Sequence, residues 1–322
     1  MAPGALERVE VLVGDVVGSQ CGLDRHDEQR LREAGVGEFW HLAATTEFDV
    51  AQADSILRIN IEGTGRAFAL AEQIGANRFI HTSTAYCCGQ IAGDIGETIH
   101  PIDAPFTNVY ERSKCLSEHL LAAATRTKRG IDWRILRPSV VVGPVETHAA
   151  EGVNHGLYGF LRGVYSMREG LRQTGRSVRL SADPSSEINI IPVDHAVRMM
   201  AELRESEFPG GPIHHITSDA SPTLAETLNA VCDAASVPRF TLVPTRLEAP
   251  TAFERVLEQG TSTYGGYLFG GVKRFARAFG KPYSVDAAEV QRFCSRWVEE
   301  RQARRGAGTY SSKPLETSDV NA

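Results

Sequence analysis

The chain has 322 residues, 42% hydrophobic and 23% charged, which suits a globular protein with a sizeable core, built as one large domain or two lobes. A net charge of -6 leaves no basic excess, so nucleic acid and anionic membrane are poor partners and a small molecule is the default. No stretch reaches the roughly 18 uninterrupted apolar residues of a membrane span, and the first ten residues lack a signal-peptide core. A cytoplasmic protein is expected, its six scattered cysteines kept as thiols and no metal site built from them.

Residues 9–13 (VEVLV) are β-branched and end at Gly14-Asp15, which predicts a buried strand running into a loop. A polar, charged stretch follows at 24–34. Phe39 to Ala44 (FWHLAA) reads as a second buried strand whose small alanines let a ligand approach the backbone. Helical spacing of Ile56, Ile59, Phe68, Leu70, Ala71 and Ile74 predicts a helix over 53–75. A third strand at 78–82 runs into Ser83-Thr84, a helix at 109–125 carries Tyr110 and Lys114, and a fourth strand at 133–142 is broken at Pro138. Beyond Gly143 come loops and helical pieces at 156–172, a strand at 188–194 feeding a helix at 195–205, a strand at 213–216, and helices at 223–236 and 285–302. Alternating strands and helices predict a parallel sheet covered on both faces. Residues 303–322 are polar and rich in Gly and Ser, as a disordered tail would be.

Tyr110 and Lys114 are four apart and share a helix face, so their polar ends can converge on one ligand. An ammonium beside the phenol is expected to pull its pKa down from about 10 and ready it for proton transfer. Taken alone, the pair is more often a feature of a solvated helix face. Thr84, just past a strand end, is placed either to polarise a carbonyl or to cap the next turn. Asn60 is a poor helix former inside a helix, which hints at a side-chain task such as bonding a backbone carbonyl or water near Lys114.

Seven segments then occur in order: Val13-Gly14-Asp15-Val16, His41-Leu42-Ala43-Ala44, Asn60 to Thr64, Ser83-Thr84-Ala85-Tyr86, Tyr110 to Lys114, Arg137-Pro138-Ser139 and Ile191 to Asp194. Over roughly residues 9–300 the chain resembles an extended short-chain dehydrogenase/reductase of the NAD-dependent epimerase/dehydratase superfamily. With His214-His215-Ile216-Thr217-Ser218 included, it is most similar to the thioester-reductase and fatty-acyl reductase branch. The resemblance implies a Rossmann-like, doubly wound parallel α/β sheet over 1–145, with 188–218 returning to it, and a smaller, mostly helical substrate lobe from 146–187 and 219–302. It implies Thr84, Tyr110 and Lys114 as a catalytic trio supported by Asn60. Asp15 and Val16 would border the adenine of NAD or NADP, Ala43 and Ala44 its central part, and Pro138 and Ser139 the nicotinamide, with Lys114 on the ribose. The substrate implied is an acyl thioester, on CoA or a carrier protein, or else an aldehyde or ketone of lipid-like or polyketide metabolism. A homodimer stays open.

The pattern breaks at its start. Only eight residues precede the strand at 9–13, whereas the βαβ unit that carries the family's phosphate-binding glycine loop takes roughly 30 or more. Gly63-Thr64-Gly65 follows no strand and is no substitute, and Gly265-Gly266 and Gly270-Gly271 suit a pocket or loop. Three accounts stand: a start further upstream, a unit from another chain, or a remodelled sheet without ordinary dinucleotide binding. Two alternatives to reduction follow, namely a cofactor-free descendant that binds a metabolite or catalyses a non-redox step such as cyclisation, and a nucleotide-sugar epimerase or dehydratase. His214-His215 would point to opposite strand faces and is read as structural. Cys87-Cys88 is too strained for a disulfide, and Cys87 is expected to line the pocket. Arg126, Lys128 and Arg129 suit a solvated helix end. Tyr264, Tyr267, Phe269, Phe275 and Phe279 are expected in an acyl pocket or in the core of the smaller lobe.

Overall fold

Phe79 and Ile80 are sequence neighbours, both buried, and they pack into different hydrophobic clusters, as a strand covered on both faces requires. They belong to β2 (Arg78–Thr82), the inner neighbour of β1 (Glu38–His41) in a four-stranded parallel sheet that continues through β4 (Asp132–Pro138) to β8 (Ile213–Ile216). This chain is described here from a computed structural model over residues 9–127, 130–150, 152–153, 155–175, 177–205 and 211–306. Ile135 and Leu136 of β4 repeat the alternation, Ile135 joining Phe79 and Leu136 joining Ile80.

One face is covered by two helices. Helix α3 (Gly63–Gln73) brings Phe68, Leu70 and Ala71, and α4 (Val109–Thr127) brings Leu121. Helix α3 follows α2 (Ala53–Leu57) through a π-helical turn, Arg58–Glu62, so the single helix expected over 53–75 carries an internal irregularity at Asn60. The other face is covered by α7 (Val193–Glu205), through Ala196, Met199 and Leu203. The sheet is therefore doubly covered, as expected.

Pro138 ends β4, because it offers no N–H to the next ladder step. After Ser139 the chain leaves the central sheet as β5 (Val140–Val142), which pairs with β7 (Ile190–Pro192). That switch carries it into a lobe whose core packs α5 (Gly156–Ser166), α6 (Arg168–Gln173), α8 (Leu224–Ala235), α9 (Ala252–Thr261) and α11 (Ala287–Gly306) around Leu161, Val231 and Phe293. Capping boxes open α8 (Thr223 with Glu226) and α9 (Thr251 with Glu254), satisfying N–H groups that the first turn leaves free. The lobe's minor pairs are β6 (Arg179–Ser181) with β9 (Thr241–Val243), while β3 (Gly93–Ile95) pairs with β10 (Lys273–Phe275).

One expectation is overturned. Residues 9–13 form no strand, and Val9, Val11 and Val13 are 62%, 81% and 88% exposed. Among the described residues no strand offers them a ladder, and β-propensity without a partner leaves backbone groups that water satisfies better. The charged stretch at 24–34 is a helix, α1 (Arg25–Ala34), capped by the Asp24 carboxylate and ended by Gly35 in the left-handed conformation. At the other terminus α11 continues to Gly306, past the expected start of a tail at 303; residues 307–322 lie outside the described residues, as do Lys128 and Arg129.

Candidate active site

Parallel sheets place ligands beyond the carboxyl ends of their strands, and here a cavity of about 330 Å³ opens there, between the sheet and the lobe. The sheet side contributes Thr82, Ser83 and Thr84 after β2, Pro138 and Ser139 after β4, and Ala44 and Phe48 from the loop after β1. Helix α4 contributes Tyr110 and Lys114 from one face. The lobe closes it with Leu157 and Phe160 of α5, Leu224, Leu228 and Val231 of α8, and Tyr264, Tyr267 and Leu268. Among the described residues no arginine and no carboxylate lines it.

The expected residues divide. Thr84, Tyr110, Lys114, Ala44, Pro138 and Ser139 meet at this cavity, whereas Asn60, Asp15, Val16 and Ala43 do not line it. Asn60 is 1% exposed and acts one layer behind. Its carboxamide bonds both backbone groups of Thr45, at 2.9 and 3.0 Å, and donates to Ser113 Oγ at 2.8 Å. It thereby ties the loop bearing Ala44 and Phe48 to the helix bearing Tyr110 and Lys114. Asp15 accepts from the N–H of Val17, Val16 sits against Gly63, and Ala43 is exposed. Cys87 is buried outside the cavity and donates to Glu118, contrary to expectation, because the short helix that Thr84 caps turns its thiol inward. Of the aromatic series, Tyr264 and Tyr267 line the cavity, Phe269 is 45% exposed, and Phe275 and Phe279 pack on His215 and His214.

Thr84 Oγ1 accepts from the N–H of Tyr86 at 3.2 Å and reaches the Pro138 carbonyl at 3.5 Å. It therefore caps a turn and lines the cavity at once. Tyr110 packs against Phe48, ring centroids 5.9 Å apart. Burial raises its pKa, and the Cys87 and Glu111 charges add to the rise. The expected lowering by Lys114 is absent: the cavity desolvates the phenol, and the ammonium is directed to the Thr82 carbonyl at 2.6 Å. Lys114 is 2% exposed and has no ion-pair partner among the described residues. Burial pulls its pKa down to about 8, opposed by the Glu118 carboxylate.

Glu118 continues the face of Tyr110 and Lys114 one turn on, and both of its oxygens are held by Arg137, at 3.0 and 2.5 Å, with neither side chain exposed. Arg137 also meets His100 Nε2 at 2.9 Å and the Thr98 carbonyl at 2.8 Å. In the sequence Arg137 and Ser113 stand only within motifs, and Glu118 and Phe48 carry no assigned role. The i, i+4, i+8 series 110, 114, 118 was the available signal for Glu118. Phe48 carried none, because a loop decides where it points.

Over residues 2–200 the chain matches the family described as male sterility protein, an NAD-binding family. The chain belongs to that family. No curated protein matches it. Among solved structures, the terminal R domain from the myxalamid PKS-NRPS biosynthetic pathway is similar at 20% identity, with a TM-score of 0.68, covering 96% of this chain and 78% of that one. A UDP-Glc/GlcNAc 4-epimerase from Campylobacter jejuni gives 19%, 0.60, 92% and 86%. An archaeal thiolation-reductase di-domain from a non-ribosomal peptide synthetase gives 15%, 0.60, 90% and 61%. The fold is thus that of the extended short-chain dehydrogenase/reductases, as the ordered motifs had led one to expect.

Such a family implies a nicotinamide dinucleotide. The residues present fit its nicotinamide-ribose half. Thr82 Oγ1 and Ser139 Oγ are buried without a hydrogen-bond partner on the cavity wall that also carries Lys114, and orphaned hydroxyls of this kind suit a ligand's hydroxyls or carboxamide. For the diphosphate, no glycine turn among the described residues joins a strand end to a helix N-terminus at the cavity.

Proposed function

We propose that this protein reduces the carbonyl of an apolar substrate, an acyl thioester on CoA or a carrier protein or the corresponding aldehyde or ketone, with NADH or NADPH. The observation that carries this reading is a largely apolar cavity into which Thr84, Tyr110 and Lys114 all project. When bound, the reduced nicotinamide supplies the hydride. Tyr110, whose pKa burial raises, keeps its proton at neutral pH and delivers it to the oxygen as negative charge develops there. The Thr84 hydroxyl holds that oxygen, giving up only a long contact to Pro138. Ser139 and Lys114 would hold the nicotinamide riboside. A lining that among the described residues has no arginine favours this substrate over a nucleotide sugar, whose diphosphate would find no bidentate partner among them. Similarity to reductase domains that work in megasynthases supports a carrier-bound thioester.

A cofactor-free reading is favoured by one observation, the lack of a diphosphate cradle among the described residues. In that case Tyr110 and Lys114 would serve as acid and base for a non-redox step. Titration of the protein with NADH and NADPH, followed by turnover with a long-chain acyl-CoA and its aldehyde, separates the two. Binding with aldehyde or alcohol formation supports reduction, and no binding at millimolar nucleotide refutes it for this chain.

A further inference from the structure

We propose that Lys114 captures apolar aldehydes and ketones covalently, as an imine, on the wall of this cavity. A buried lysine normally has a carboxylate partner, because an unpaired ammonium away from water is costly. Lys114 has none among the described residues. Both oxygens of Glu118, one turn along its helix face, are occupied by Arg137, and Nζ donates to the Thr82 carbonyl. The cavity that Lys114 lines is mostly apolar, with Leu157, Phe160 and Leu228 in its wall on the lobe side, so an alkyl chain can settle there while its carbonyl carbon meets Nζ. A desolvated lysine in an apolar pocket is a recognised way of making an amine nucleophilic near neutral pH, and burial already lowers this one to about 8. At pH 7.5 that corresponds to roughly two hundredfold more neutral amine than an ordinary lysine of pKa 10.4–10.5 holds.

The step is redox-neutral. The nitrogen lone pair adds to the carbonyl carbon, and the oxygen takes a proton from the Tyr110 hydroxyl on the same wall. Nitrogen then releases a proton to solvent or to the phenolate, and the carbinolamine loses its oxygen as water to leave C=N. One amine and one carbonyl thus give one imine and one water. No nicotinamide takes part, so this inference stands or falls apart from the reductase reading, which an independent NAD(P)H assay tests.

The test is reductive trapping of the purified chain with decanal and sodium cyanoborohydride, followed by peptide mass mapping. The sequence has only five lysines, at 114, 128, 273, 281 and 313, so the map is simple, and exposed Lys281 is the internal standard. The expected result is one adduct per chain on Lys114, with a mass gain equal to decanal less one oxygen. Its initial rate should exceed that at Lys281 at pH 7.5 and level off near pH 8. Lys114→Arg should lose the adduct, and Tyr110→Phe should slow it by about tenfold or more. Labelling confined to the other lysines, or a Lys114 rate at pH 7.5 no higher than that of Lys281, overturns the proposal using the wild-type protein alone. An unchanged rate in Tyr110→Phe overturns the proton's assignment.

Discussion

Lys114→Met should make this protein more stable and inactive at the same time. The amine's pKa is drawn from 10.5 to about 8 in the fold, and at about 1.36 kcal/mol per unit this is a folding penalty of roughly 3 kcal/mol while both states are protonated. Methionine removes that penalty and one hydrogen bond, to Thr82, worth about 1 kcal/mol, for a net gain of roughly 2 kcal/mol at pH 7. The sign follows from proton binding. Below pH 8 the folded and unfolded chains both carry the proton and the full penalty applies; between 8 and 10.5 the folded amine releases it first and the penalty shrinks. By pH 9.5 it falls to roughly 1.5 kcal/mol, so methionine's advantage drops to a few tenths. Urea unfolding of both proteins at pH 7 and 9.5 measures this. A variant less stable than wild type at pH 7, or a gain indifferent to pH, would refute the electrostatic reasoning.

Four further outcomes follow. Tyr110→Phe should lower kcat by about a hundredfold or more with KM little changed; retained turnover would remove Tyr110 from the chemistry. Glu118→Gln leaves Arg137 buried without its counter-charge, and urea unfolding should show a loss of about 3–5 kcal/mol. Five buried histidines have lowered pKa values, burial being the main cause: His41, His100, His214 and His215 at about 4, and His81 well below its usual range. Because the unfolded chain takes up those protons first, stability should fall as pH drops from 6.5 toward 4, and circular dichroism should show unfolding before pH 4 is reached. Leu228→Trp projects into the cavity and should raise KM for long acyl chains more than for short ones, which steady-state kinetics with a chain-length series would show.

The helices and the strand runs at 78–82 and 213–216 were legible from local sequence, the helices by their 3.6-residue period and the strands as short runs that the sheet buries on both faces. Tyr110 and Lys114 were legible as a pair for the same reason, since helix geometry fixes which residues share a face. The run at 9–13 shows the limit: its valines have strand propensity, yet a strand exists only where another offers a ladder, and that is not a property of the segment. The catalytic electrostatics were equally non-local. From spacing, Lys114 should have lowered the Tyr110 pKa; in the fold, burial beneath segments that include Phe48 desolvates the phenol, Cys87 from beyond β2 and the helix neighbour Glu111 add to the effect, and the pKa rises. The sequence thus settled which side chains stand four apart on one helix. Only the tertiary structure decided what surrounds them, because burial and charge depend on segments far away along the chain, among them Phe48, Thr82 and Arg137, and that is what sets whether a phenol or an amine keeps its proton.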